Sequence, residues 1–193
     1  MASEARLVRL MRDPASVNGT AIRTGLMRLC LTVRASLGPS LVMYEVGSFA
    51  GEGAEIFSEH FAEVHCVDLW ETYPLTGDAS KFSWEEIEES FDTRAHASMN
   101  VFKHKGDSVE VAQLVPEESL DFVYIDADHT YESVLRDLGA WVGKVKPNAF
   151  IGGHDYTFWT FDVVRAVNDF FHIRDEGVIL FHDGSWLLQK VRA

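Results

Sequence analysis

The sequence predicts an α/β domain, built on an open, mostly parallel sheet with helices on both faces. Three observations carry this. Short apolar runs alternate with segments of helical periodicity along most of the chain after residue 40, the pattern of parallel strands joined by crossover helices. A glycine-rich turn, YEVGSFAGEGAEIF at residues 44–57, links the first such run to the helix after it. Five of the runs end in acids: Glu45, Asp68, Asp107, Asp126 with Asp128, and Asp155.

The elements follow in order. Residues 4–12 place Leu7, Leu10 and Met11 on one stripe, and residues 20–37 place Ile22, Leu26, Leu29 and Val33 on another. Both read as helices, separated by DPASVNG, and LGPS ends the second with glycine before proline. SLVMYEVGS is the first strand, GEGAEIFSEHF a helix and AEVHCVDLW the second strand. WETYPLTGDASKF, residues 70–82, is polar, aromatic and turn-rich, which predicts a mobile loop or lid, with Trp70 and Tyr73 either closing over a substrate or forming a hydrophobic clasp. SWEEIEESFDTRAHASM is helical and MNVFKHKGDS holds a weaker third strand. SVEVAQLV is a helix; LDFVYIDADH, apolar throughout, is a central fourth strand. TYESVLRDLGAWVGKV is a helix, NAFIGGHDY the fifth strand and TFDVVRAVNDFFHI the last helix. GVILFHDGSWLLQKV reads as a hairpin with Asp183 and Gly184 in its turn.

A chain of 193 residues with 47% hydrophobic residues suffices for one domain with a substantial core. The net charge of -13 repels phosphate backbones and argues against nucleic acid as a partner. Arg6, Arg9, Arg12, Arg23, Arg28 and Arg34 alternate with apolar residues, as on solvated helix faces. The two cysteines, Cys30 and Cys66, lie in apolar runs and read as buried thiols of a reducing compartment. No segment has the pattern of a leader or a membrane span. The expectation is a soluble cytoplasmic protein with no membrane partner.

Ligands of open parallel sheets sit at the carboxyl ends of the strands. Carboxylates gathered there repel one another unless a cation offsets them. A cap role is the competing reading for single members, and Asp107 in GDSVE suits a helix N-cap. Gly47, Gly51 and Gly53 form G-x-x-x-G-x-G, not the dinucleotide pattern G-x-G-x-x-G. Asp68, 21 residues after Gly47, suits a carboxylate binding a ribose diol. Glu45 beside the turn disfavours a phosphate-bearing cofactor. It favours a cationic one, and S-adenosylmethionine, with its sulfonium and ammonium, fits. Beyond the cofactor, DADH (Asp126, Asp128, His129), HDY (His154, Asp155, Tyr156) and HDG (His182, Asp183) converge. Oxygen ligands suit Mg2+, and added imidazole leaves Mn2+, Fe or Zn2+ open. Tyr156 and Trp159 read as residues that shape the pocket or core.

The segments YEVGSFAGEGAEIF, HCVDLW, GDS and DFVYIDADHTYESVLRDLGAWVGKVKPNAFIGGHDY resemble class I S-adenosylmethionine-dependent methyltransferases. The group they are most similar to includes the macrocin and novobiocin O-methyltransferases. The resemblance runs from about residue 40 to the C-terminus. It implies a Rossmann-like sheet of seven strands with a final antiparallel strand. It also implies residues 39–193 as the methyltransferase domain and 1–38 as a helical extension packing on the core or on a partner subunit in a homodimer. Carried over residue by residue, the turn with Gly47, Ser48 and Gly51 approaches the methionine part of the cofactor. Glu45 meets its amino group directly or through water, Asp68 the ribose, and Asp107 with Ser108 the adenine edge; Asp126 also borders the cofactor.

Metal-dependent catechol and caffeoyl-coenzyme-A O-methyltransferases carry an acid at the position of Asp126 and an Asp-Asn pair where this chain has Asp155-Tyr156. Their catalytic lysine falls at His129. The antibiotic sugar methyltransferases carry Asp-Asp where this chain has His154-Asp155, and an aspartate base at Asp128. The resemblance therefore implies Asp126, His154 and Asp155 as ligands for Mg2+ or Mn2+, with His129 or Asp128 as the base. The implied reaction is methyl transfer to a hydroxyl of a small molecule, a sugar or a phenol. The alternatives are an NAD-type oxidoreductase, disfavoured by Glu45 and the glycine spacing, and a non-catalytic cofactor-binding protein.

Overall fold

A computed structural model describes residues 17–71, 74–75, 77–173 and 177–191. The segment read as a first helix, residues 4–12, lies outside the described residues, as does Tyr73. Helix α1 (Val17–Leu37) buries Leu26, Leu29, Cys30 and Val33, the stripe its periodicity marked. It stops at Gly38, whose φ of 97° is left-handed and whose N–H donates to Arg34 O at 2.9 Å.

Seven strands form one sheet: β1 (Val42–Val46), β2 (Glu63–Asp68), β3 (Val101–Lys105), β4 (Leu120–Ile125), β5 (Val145–Gly153), β6 (Ile179–Leu180) and β7 (Trp186–Gln189). Their order is β3-β2-β1-β4-β5-β7-β6, which puts β4 at the centre. The first five are parallel, and β7 runs antiparallel between β5 and β6. The crossovers carry α2 (Glu52–Ser58), α3 (Trp84–Ala97), α4 (Ser108–Gln113) and α5 (Tyr131–Trp141); α6 (Phe161–Phe171) follows β5. A 3-10 turn, Gly77–Lys81, precedes α3.

Alternation along the strands divides the core into two layers. Met43, Cys66, Phe122 and Phe150 face α1, α2 and α3 with Phe57, Ile87 and Phe91. Tyr44, Val123 and Ile151 face the other side with Val134, Leu138, Trp141 and Val167. Each fully buried large apolar side chain contributes roughly 1.5–3 kcal/mol, so both faces are held firmly while the strand ends stay open. Helix α3 begins with a reciprocal cap: Glu86 N–H donates to Ser83 Oγ at 3.2 Å and Ser83 N–H to Glu86 Oε2 at 2.9 Å. Cys30 and Cys66 are free and buried.

Register decides which side chains meet at the open end. Val46 pairs with Val67 and Ile125, and Ile125 with Gly153. The ladder runs one residue further: Gly47 N–H donates to Val67 O, Asp126 N–H to Val46 O and His154 N–H to Ile125 O, at 2.8, 2.8 and 3.1 Å. Gly47, Asp68, Asp126 and His154 therefore stand side by side, although more than 100 residues separate the first from the last.

Candidate active site

The order of strands changes direction between β1 and β4, and the glycine turn lies at that point. A Cβ on Gly47, whose φ is 89°, would stand 2.2 Å from Asp126 O, so only glycine lets the turn lie against the end of β4. Gly53 has a different duty. A Cβ there would stand 2.0 Å from Glu45 Oε1. The missing side chain leaves room for that carboxyl under the turn, where Glu45 is 3% exposed. Burial pushes Glu45 up to about 8, and the charges of Asp126 and Asp68 add to this; the Cys66 thiol, 3.4 Å from Oε2, works the other way. At neutral pH the group is mainly a neutral acid. Ser48 is buried on the same turn, and Gly51, with φ 87°, caps α2.

A cavity of about 750 Å³ opens above these strand ends. Gly47, Asp68, Asp107, Ser108, Asp126, Asp128 and His129 all line it. Glu45 lies beneath that wall rather than in it. Asp68 accepts from Phe49 N–H at 2.9 Å and Trp70 N–H at 2.8 Å, which fixes its carboxylate at the cavity edge. Burial raises Asp68 above the usual carboxylate range, against those N–H groups. Asp107 caps α4, accepting from Val109 N–H and Glu110 N–H at 2.9 and 3.3 Å, and pairs with Arg136 at 2.8 Å. Burial would raise it, but the guanidinium and the helix N–H groups hold it low. Ser108 Oγ donates to Asp137 at 2.7 Å and accepts from Trp141 Nε1 at 3.0 Å, which ties α4 to α5.

At the other end of the cavity the DADH and HDY segments meet. His129 Nε2 lies 3.4 Å from Asp126 Oδ1 and 3.2 Å from Asp155 Oδ2. His154 Nδ1 lies 3.5 Å from Asp155 Oδ2, and its buried Nε2 has no hydrogen-bond partner. One ligand atom each from Asp126, His154 and Asp155 fall within 4.8 Å of one another. Asp155 holds a left-handed φ of 58°, which turns its carboxylate back toward the cluster's other members. Burial alone would lower His154, but its bond to Asp155 and the charges of Asp126, Asp155 and Asp183 lift it to about 9. The bond to Asp126 likewise raises His129, against burial. The acids thus converge on a place that demands positive charge.

The two base candidates part here. Asp128 Oδ1 accepts from Thr130 N–H at 3.1 Å, and Oδ2 accepts from the Thr130 and Ser133 hydroxyls at 3.2 and 2.9 Å. These bonds outweigh burial and hold Asp128 low. It secures the start of α5, while His129 faces the other acids. Of HDG, Asp183 comes near through its charge on His154, and its Oδ2 accepts from Ser185 Oγ at 2.9 Å; His182 is exposed on the hairpin turn.

Two readings need correction. Trp70 does not close over the cavity: it is 2% exposed, packs on Phe91 and donates from Nε1 to Phe49 O at 2.7 Å. The segment around it, with Leu75, Ser80 and Phe82, walls a second cavity of about 550 Å³ instead. Trp159 does not belong to the core, being 89% exposed. Sequence reasoning also missed Trp84, Ser133, Arg136 and Asp162, which line the main cavity. Ser133 and Arg136 are three apart on α5 and so share a face, a signal masked because the apolar stripe of that helix drew the reading to its other side.

The fold matches known proteins. The profile of a family described as a methyltransferase domain matches residues 44–156. No curated protein matches the chain. Among solved structures, the O-methyltransferase TomG from Streptomyces achromogenes, in complex with SAM, aligns over 100% of this chain and 91% of its own, with TM-score 0.66 and 14% identity. The O-methyltransferase NovP aligns over 86% and 78%, with TM-score 0.64 and 19% identity. An rRNA methylase from Streptococcus thermophilus aligns over 86% and 95%, with TM-score 0.61 and 10% identity, so the fold by itself does not select the acceptor. The matched span holds the glycine turn, Asp68, Asp107 and the Asp126–His129–Asp155 cluster, and the chain belongs to this methyltransferase-domain family, with the class I fold.

Proposed function

We propose that this protein transfers the methyl group of S-adenosylmethionine to a hydroxyl of a small molecule, at a site prepared for a divalent cation. The observation that supports this best is one cavity with two chemically distinct ends. Gly47, Asp68 and Asp107 line one, and Asp126 and His129 line the other, with Asp155 set 3.2 Å behind His129. Asp68 accepts the ribose hydroxyls, Asp107 and Ser108 border the adenine, and Glu45 attracts the cofactor's amino group from beneath the turn, directly or through a water. Asp126 would border the reacting end of the cofactor.

The residues fit a metal. Asp126, His154 and Asp155 offer mixed oxygen and nitrogen ligands at suitable spacing, and the orphaned Nε2 of His154 supplies a buried lone pair once that ring is neutral. Mg2+ or Mn2+ bound there would acidify the acceptor hydroxyl and fix its direction. With the carboxylates of Asp126 and Asp155 drawn to such an ion, His129 Nε2 would be freed to take the proton, and the acceptor oxygen is held in line with the methyl carbon, about 3 Å away. Asp128 orients the start of α5 and so places His129. The segment 1–38 serves as an extension of the 39–193 domain, in a soluble protein able to pair with a second copy. No helix among the described residues is long and apolar enough to cross a membrane.

Calorimetry with S-adenosylmethionine and with NAD, each with and without Mg2+ or Mn2+, tests the cofactor. Only the former is expected to bind. Asp155→Ala is expected to abolish metal-stimulated transfer. Full turnover by that variant, or turnover indifferent to chelator, would remove the metal from the mechanism.

A further inference from the structure

We infer that Phe158, Trp159 and Phe161 form the acceptor platform, and that the acceptor is a flat aromatic alcohol rather than a sugar. The inference rests on the methyl-transfer reading above. These three side chains are 87%, 89% and 68% exposed within four residues, beginning three residues after Asp155. Leaving so much aromatic surface in water forgoes stabilisation that a monomer has no reason to forgo.

A slack loop does not explain the exposure. Tyr156 N–H donates to Gly184 O at 2.9 Å and Tyr156 OH to Asn168 at 2.8 Å. The Thr157 and Thr160 hydroxyls lie 2.8 Å apart, and Thr160 Oγ1 donates to Asp155 O. A polar staple thus folds the loop back on Asp155 and presents its aromatic tips outward, with the Phe158 and Trp159 rings edge to face at 5.5 Å.

The loop that carries the patch leaves from the reacting cluster and returns to the cavity wall. Asp155 precedes it and lies 3.2 Å from His129; Asp162, next after Phe161, lines the main cavity. Four residues from Asp155 to Trp159 span at most about 14 Å, so a molecule of one to three rings can stack on Trp159 while its hydroxyl reaches Asp155. The same contacts select the acceptor chemistry. Sugar sites set free polar groups around their aromatic residue, but the Thr157 and Thr160 hydroxyls of this tip are engaged with each other and with the backbone oxygens of Asp155 and Thr157. Bare Phe and Trp faces suit a planar apolar ring.

The test uses 6,7-dihydroxycoumarin as aromatic probe and cis-1,2-cyclohexanediol as its non-aromatic counterpart. Binding is measured calorimetrically on protein saturated with S-adenosylhomocysteine and Mg2+. Trp159→Ala is expected to weaken the coumarin about tenfold and leave the cyclohexanediol within about twofold, with Trp159→Phe restoring most of the loss. Turnover should show the loss in KM rather than kcat. S-adenosylhomocysteine affinity, unchanged in every variant, reports an intact cofactor site. Equal coumarin affinity in wild type and in the Phe158→Ala/Trp159→Ala double variant overturns the proposal, as does absence of coumarin binding to wild type. A wild-type dimer that the double variant dissolves in sedimentation, with coumarin affinity unchanged, assigns the patch to a second copy and also overturns it. Failure of S-adenosylhomocysteine itself to bind refutes the methyl-transfer reading, and the platform with it.

Discussion

Replacing Glu45 by Gln isolates the acid beneath the glycine turn. The carboxyl is 3% exposed and is lifted from an ordinary 4.5 to about 8, chiefly by burial. Below its unfolded value it is protonated in both states and costs nothing. Between 4.5 and about 8 only the unfolded chain ionises, so stability falls as pH rises, and above about 8 the loss is complete. At ~1.36 kcal/mol per pH unit the interval corresponds to at most ~5 kcal/mol. Gln keeps the shape and does not ionise. Urea melts of the ligand-free protein should therefore find the two chains alike near pH 5, with Glu45→Gln gaining several kcal/mol over wild type by pH 9. Binding should move the other way. At pH 7 roughly nine wild-type molecules in ten hold the proton, and the arriving ammonium of the cofactor expels it. Calorimetry in phosphate and in Tris should report close to one proton released per S-adenosylmethionine, and none from the variant. A stability difference flat from pH 5 to pH 9 would refute the buried-acid argument. Equal proton release from both chains would remove Glu45 from the cofactor site.

Further expectations concern neighbouring residues. Gly53→Ala places a Cβ 2.0 Å from Glu45 Oε1; thermal melts should show a loss of about 1–3 kcal/mol, with weaker cofactor binding in calorimetry. His129→Gln should lower kcat about a hundredfold with cofactor affinity unchanged, whereas Asp128→Asn, which preserves the acceptor oxygen for Thr130 N–H, should change kcat less than about threefold; the reverse ranking makes Asp128 the base. Ser83→Ala removes the cap of α3 and should destabilise by about 1 kcal/mol, without altering cofactor affinity.

Local chemistry made much of this readable in the chain. Periodicity marked α1 through Leu26, Leu29 and Val33, and unbroken apolarity marked β4 as central. GDSVE announced the Asp107 cap. Asp126, His154 and Asp155 were identifiable as a set because each follows a strand, and parallel strands deliver their ends to one edge. Trp70 misled because an aromatic residue on a polar loop has the same local sequence whether its ring turns outward or, as here, inward onto Phe91. For Trp159, read as shaping the pocket or the core, exposure removes only the core.

The sequence by itself determined the alternation of strand and helix, the acid at each strand end and the glycine turn, because backbone propensity, hydrophobic period and turn chemistry act over a few residues. Only the tertiary structure decided what those acids do. Asp107 became a helix cap, Asp128 an anchor for Thr130 and Ser133, Glu45 a buried acid whose proton affinity burial raises, and His129 rather than Asp128 came to face Asp126 and Asp155. The reason is physical: a carboxylate's role depends on its burial and on which donors reach it. Both are set by register and packing between segments far apart in the chain.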